Sequence, residues 1–214
     1  MIDKDRISTI LDERFIKVYD MEYEEGRHYL NASRRSLDDL VATKDDSQVK
    51  TMLPDAVSCF VIIRTPDTKP RLLLNYEYRY PAGQFLLSVP AGLIDPKDKV
   101  EADPLIATAA REIKEETGLE IKETDEVRVV NSFVYSTPGM TDESNALVCA
   151  VIDVDDLSYL SQDGAEGSEC FDGFELVTLE TARELLKNGR DIAENFYSVY
   201  TWAALMYFVS EMWK

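Results

Sequence analysis

Glu112, Glu115 and Glu116 follow directly on Arg111. On a helix, Glu112 and Glu116 lie four apart on one line, and Glu115 lies beside them. Unscreened carboxylates in that arrangement repel one another and weaken the helix. A hard divalent cation takes oxygen ligands and offsets the repulsion, so the pattern points to metal-assisted chemistry. The competing reading is an ordinary acidic, solvated face with Lys114 nearby. The helix alone does not separate the two.

Other chemistries are short of residues. The chain has a single histidine, His28, so zinc hydrolysis by several imidazoles has no ligands. No nucleophile elbow accompanies His28 for a serine triad. The cysteines, Cys59, Cys149 and Cys170, are isolated, with no CxxC pair, and read as ordinary thiols rather than a disulfide or zinc framework. Carboxylates remain for metal and proton work.

Composition sets further bounds. The 214 residues carry 41 acids against 23 Lys and Arg, a net charge of −18. Binding to a nucleic-acid backbone rests on clustered cations, so no nucleic-acid partner is expected. A polyphosphate substrate would need a divalent cation between it and so acidic a protein. No apolar run approaches the length of a membrane span and the start lacks the apolar centre of a secretory signal, so a cytoplasmic protein without membrane contact is expected.

Elements must hold the glutamates in place. The segment DPLIATAAREIKEETG predicts the clearest helix. Asp103 suits the N-cap, Pro104 the first helical position and Gly118 a left-handed C-cap. Leu105, Ile106, Ala109, Ala110 and Ile113 recur at helical spacing as a buried stripe. Before it, AVSCFVIIR, RLLLNYEYRY and QFLLSVPAGLID read as strands. After it come VRVVNSFVYS, NALVCAVIDV and FELVTL, then two helices in ETARELLKNG and residues 193–214. The N-terminus reads as a short helix, a hairpin turning at Glu25-Gly26, and a polar linker or exposed loop, ATKDDSQVK. Strands with few helices give an α+β class. Two regions are expected, residues 1–54 and 55–214.

The block Arg111-Glu112-Ile113-Lys114-Glu115-Glu116-Thr117-Gly118-Leu119, with Gly92 upstream, resembles the Nudix box, G-x5-E-x7-R-E-U-x-E-E-x-G-U. Its second half matches at every fixed position. Its first half departs: Asp103 stands eight residues before Arg111 in place of glutamate, Glu101 is out of register, and the loop from Gly92 is about five residues longer. LLLNYEYRYPAGQFLLSVPAGLID and YSTPGMTDE further resemble segments of ADP-ribose pyrophosphatases, with Ser88 where many relatives carry glutamate.

The resemblance implies a Nudix-type α/β/α sandwich with a mixed sheet, plus a small N-terminal antiparallel sheet through which such enzymes form homodimers. It implies Mg2+, with Mn2+ as a substitute, held by the Ala91 carbonyl, Glu112 and Glu116, with Glu115 joining a second metal or activating water. Gly92 would line the substrate site, Arg79 would contact a phosphate, and Glu143 would position substrate or metal. The general base would be Glu169 or Glu166 on a later loop, or Glu115. The implied reaction is hydrolysis of ADP-ribose, or of a related nucleoside diphosphate sugar, to AMP (or another nucleoside monophosphate) and a sugar phosphate. A UDP- or GDP-sugar hydrolase and a non-catalytic ADP-ribose sensor are the alternatives.

Overall fold

The computed structural model describes residues 1–164 and 169–214, which form two compact units. The first comprises residues 1–55 and 132–145; the second comprises residues 56–131 and 146–214. The turn at Pro138-Gly139 belongs to the first of them.

In the first unit, β1 (Ile7–Asp12), β2 (Lys17–Glu24) and β3 (Arg27–Ser33) form an antiparallel sheet in that order. Ile7, Tyr19, Met21 and Leu40 make its small core. The β2–β3 hairpin turns at Gly26, whose φ of 69° suits glycine. The expected N-terminal helix is absent: only Lys4–Arg6 makes a 3-10 turn, and Ile7 pairs across the sheet with Met21. The supposed linker contains α1 (Asp46–Val49), closed by a capping box in which Asp45 accepts from the Ser47 and Gln48 amides. Residues 132–145 are fixed here by the Tyr29 hydroxyl donating to the Gly139 carbonyl at 2.7 Å and the Ala32 amide to that of Met140 at 3.0 Å.

The second unit holds the main sheet. Its strands are β4 (Ala56–Thr65), β5 (Thr68–Arg79), β6 (Gln84–Ser88), β7 (Ala91–Leu93), β8 (Glu126–Tyr135), β9 (Ser144–Asp153) and β10 (Phe171–Val177). The order is β10-β5-β4-β9-β8, with β6 extending the pairing of β5 and β7 that of β4. β4, β5, β6, β7 and β10 pair antiparallel. The bonds from Asp55 N to Ser144 O and from Val154 N to Arg64 O advance in the same direction, so β4 and β9 run parallel. The sheet is therefore mixed.

Both faces of β4 are covered, which is why AVSCFVII reads as unbroken apolar sequence. Val57, Cys59, Val61 and Ile63 face α2 (Pro104–Thr117) through Leu105, Ala109 and Ile113. Phe60 and Ile62 face α3 (Leu179–Asn188) and α4 (Val199–Val209) through Ala182, Leu185, Leu205 and Phe208. This is the expected helix–sheet–helix sandwich. The last helix is shorter than expected because Ser198 caps it, accepting from the Thr201 amide. No described helix is long and apolar enough to cross a membrane.

Candidate active site

Helix α2 begins and ends as its sequence requires. Asp103 accepts from the Leu105 and Ile106 amides, an interaction worth about 1 kcal/mol, and Gly118 closes it at φ 75°. The helix does not leave its glutamates in water. Glu112 is 5% and Glu116 3% exposed, whereas Glu115 is half-buried. Burial of two carboxylates on an expected polar face is the first sign of a site.

Each carboxylate is held by a different partner. Glu116 accepts from the Asn75 amide at 2.6 Å and from the Ala91 backbone N–H at 3.3 Å. Glu112 pairs with Arg111 at 2.6 Å, and its carboxylate occupies the space that a Cβ on Gly92 would fill. Any side chain at position 92 would displace it, so the glycine is required by close approach. Glu115 pairs with Arg111 at 2.9 Å. Among the described residues no three His, Cys, Asp or Glu side chains converge on a single metal position, Glu112 and Glu115 being turned to Arg111.

Arg111 also answers what the first acid of the motif does. Neither Asp103 nor Glu101 supplies it. Asp98 does, accepting from Arg111 Nε at 3.2 Å and Nη2 at 2.9 Å and from the Thr108 hydroxyl at 3.1 Å. Asp98 is six residues after Gly92, the motif's own spacing, so the extra residues lie between it and Arg111. Counting forward from the glycine, rather than back from the arginine, would have found it. Burial alone would raise the Asp98 carboxyl, but Arg111 and the Asp95 amide outweigh that and hold it below the usual range.

The loop before β10 brings more acid. It runs from β9 past the end of α2, where the Ser161 amide donates to the Thr117 carbonyl and Gly164 lies against the Glu115 backbone, where a Cβ would clash. It rejoins the sheet where the Tyr78 amide donates to Cys170 and Phe171 pairs with Glu77. Glu169 is thereby close enough for its charge to act on Glu77, Glu112 and Glu116. Glu166 lies outside the described residues.

Glu77 itself went unnoticed in the sequence, although an acid two residues after Asn75 on the buried face of an apolar strand was a signal. It is buried and pairs with Arg79 at 2.6 Å, so the expected phosphate-binding arginine is held by this carboxylate. Glu143 lies in the first unit, paired with Arg34 at 2.5 Å. Of the thiols, Cys59 and Cys149 are buried and Cys170 is exposed.

Burial first, then the charges of Glu115 and Glu169, push Glu112 up to about 7 against the pull of Arg111. Burial raises Glu116 well above the carboxylate range, with Glu77, Glu112 and Glu169 adding to it. Glu77 is raised by burial and Glu169, against Arg79. Hard oxygen donors crowded at this cost, with the Asn75 carbonyl oxygen buried and unpartnered among the described residues, fit a divalent cation.

A folded-state pKa above the unfolded one means that the native protein binds more protons, so stability falls as pH rises between them. In EDTA the melting temperature is expected to fall from about pH 5 to about pH 8, with a shallower slope in Glu112→Gln. Identical slopes in the two proteins would show that Glu112 is not strained as described.

Residues 52–200 match the NUDIX domain. An ADP-ribose pyrophosphatase of Saccharomyces cerevisiae is 31% identical over 51% of this chain and 46% of its own length. One from Mycobacterium tuberculosis is 38% identical over 39% of this chain and 37% of its own. The chain thus spans about half, or less, of the length of the curated relatives it matches. A crystal structure of an ADP compounds hydrolase superposes with a TM-score of 0.55 at 19% identity, covering 97% of this chain and 90% of that one, a likeness of fold.

Proposed function

The chain belongs to the NUDIX family, and from that premise we propose that it hydrolyses the pyrophosphate bond of ADP-ribose or a related nucleoside diphosphate sugar, using Mg2+. The observation that carries this reading is the burial of Glu112 and Glu116 together behind Gly92, at a cost that a divalent cation would relieve. The names of the yeast and mycobacterial relatives supply the substrate class.

A divalent cation held by Glu112, Glu116 and the Ala91 carbonyl, with Glu115 at a second position, would neutralise the diphosphate oxygens and make the attacking water more acidic. The chain's residues do the rest. Arg79 turns from Glu77 to a substrate phosphate as a bidentate donor. Gly92 leaves room for the Glu112 carboxylate beside the Ala91 carbonyl. Glu169 takes the proton as the water oxygen bonds to phosphorus and the bridging P–O bond breaks, leaving AMP and ribose 5-phosphate. Arg111 and Asp98 hold the helix glutamates in register throughout.

A panel of ADP-ribose, UDP-sugars and GDP-sugars with Mg2+ tests the substrate class. ADP-ribose is expected to give the highest kcat/KM, with equal amounts of AMP and ribose 5-phosphate. A UDP- or GDP-sugar turned over faster would reassign the substrate. No turnover of any diphosphate by folded protein would sink the enzyme reading in favour of a sensor.

The assembly proposed is a homodimer through the first unit, where Ile10, Phe15, Tyr29 and Leu30 are exposed. Sedimentation is expected to give twice the chain mass at micromolar concentration. Monomer alone would refute the dimer.

A further inference from the structure

Asn75 stands out in the strand sequence LLLNYEYR. It is fully buried in the middle of β5, between Phe174 of β10 and Ser88 of β6 in the pairing register. Its Nδ2 donates to Glu116 Oε2 at 2.6 Å, whereas its Oδ1 is buried with no partner among the described residues. Burying an amide with one half unsatisfied destabilises a fold, and an apolar side chain is the usual occupant of a sheet interior. The residue opposite, Ser88, is small, buried and uncharged, so nothing on that strand competes with Asn75 for the glutamate. The other oxygen of Glu116 is met from the Ala91 amide.

We propose that Asn75 is a positioning residue for Glu116, fixing the orientation of its carboxylate for a divalent cation at the expense of fold stability. The inference rests on the reading of the site given above. The short bond from a neutral donor sets the plane of the carboxylate without neutralising it, as a lysine or arginine would. Both oxygens keep lone pairs for a cation. Because the holding group comes from a strand packed in the core, the glutamate is fixed independently of the mobile rotamers that a surface partner would have. A purely structural residue would have the opposite signature, since its loss would lower stability and leave ion affinity alone.

Manganese affinity without substrate, read from the free Mn2+ signal in electron paramagnetic resonance, separates these cases for wild type, Asn75→Leu and Glu116→Gln. Asn75→Leu is expected to bind Mn2+ about tenfold to a hundredfold more weakly than wild type. Wild-type affinity in Asn75→Leu, with weakened binding in Glu116→Gln, would overturn this inference alone. No Mn2+ binding by wild type would overturn the reading of the site and this inference with it. Should Asn75→Leu fail to fold, the wild-type protein decides. In a 15N-labelled sample the Asn75 side-chain amide resonances are expected to shift as Mg2+ is added. Resonances that stay fixed through a titration that moves the Gly92 amide would overturn the assignment.

Discussion

Glu116→Gln is expected to lower kcat with ADP-ribose and Mg2+ by at least about a hundredfold while raising the melting temperature measured in EDTA. The two signs come from one cause. Glu116 is buried beside Glu77, Glu112 and Glu169, so its negative charge is opposed by all three and poorly solvated. Glutamine keeps the volume and can still accept from one of the two donors, the Asn75 amide or the Ala91 N–H, and carries no charge to repel its neighbours. The same lack of charge removes the attraction for a cation, so the stabilisation that Mg2+ gives wild type should vanish too. A variant that lost activity and also melted several degrees lower in EDTA would mean that Glu116 serves the fold rather than the reaction.

The second large effect is at Arg111. Its guanidinium meets Asp98 at 2.9 Å, Glu112 at 2.6 Å, Glu115 at 2.9 Å and the Leu93 carbonyl at 2.9 Å. Arg111→Ala leaves three acids around one emptied position, two of them buried. Stripping one member from a buried ion network costs about 3 kcal/mol, so urea unfolding in EDTA is expected to show a loss of that order. Arg111→Lys keeps the charge but not the fork that reaches several acceptors at once, and should fall between alanine and wild type. Added Mg2+ should restore part of the loss in Arg111→Ala, because a second cation can answer Glu112. A loss below about 0.5 kcal/mol, as for an exposed ion pair, would refute the role given to Arg111.

What the sequence disclosed and what it hid follow from the range of the interactions concerned. Helix α2 was legible to the residue because Asp103, Pro104 and Gly118 are local signals that agree with the apolar period. The α+β class was legible from strands with few helices, and the sandwich from the resemblance that Arg111 to Leu119 carries. The short helix expected at the N-terminus gave way to a strand because pairing of Ile7 with Met21 is non-local. Asn75 and Glu77 stayed hidden for a related reason. They lie some forty residues before Glu116 and become its neighbours only when the sheet packs against α2. Asp98 keeps the motif's distance from Gly92, whereas the longer loop sets Asp103 at the motif's distance from Arg111. Glu143 fits its sequence segment, yet packs with the N-terminal unit through Arg34, a contact that no local pattern announces.

The central claim is that Glu112 and Glu116 together hold the divalent cation on which hydrolysis depends. Crystals grown with Mn2+ and measured at the manganese absorption edge test it directly. The expected anomalous peak lies about 2 Å from a carboxylate oxygen of each glutamate, beside Gly92. A strongest peak elsewhere, with no metal within bonding distance of Glu112 or Glu116 in crystals that turn over ADP-ribose, would contradict it.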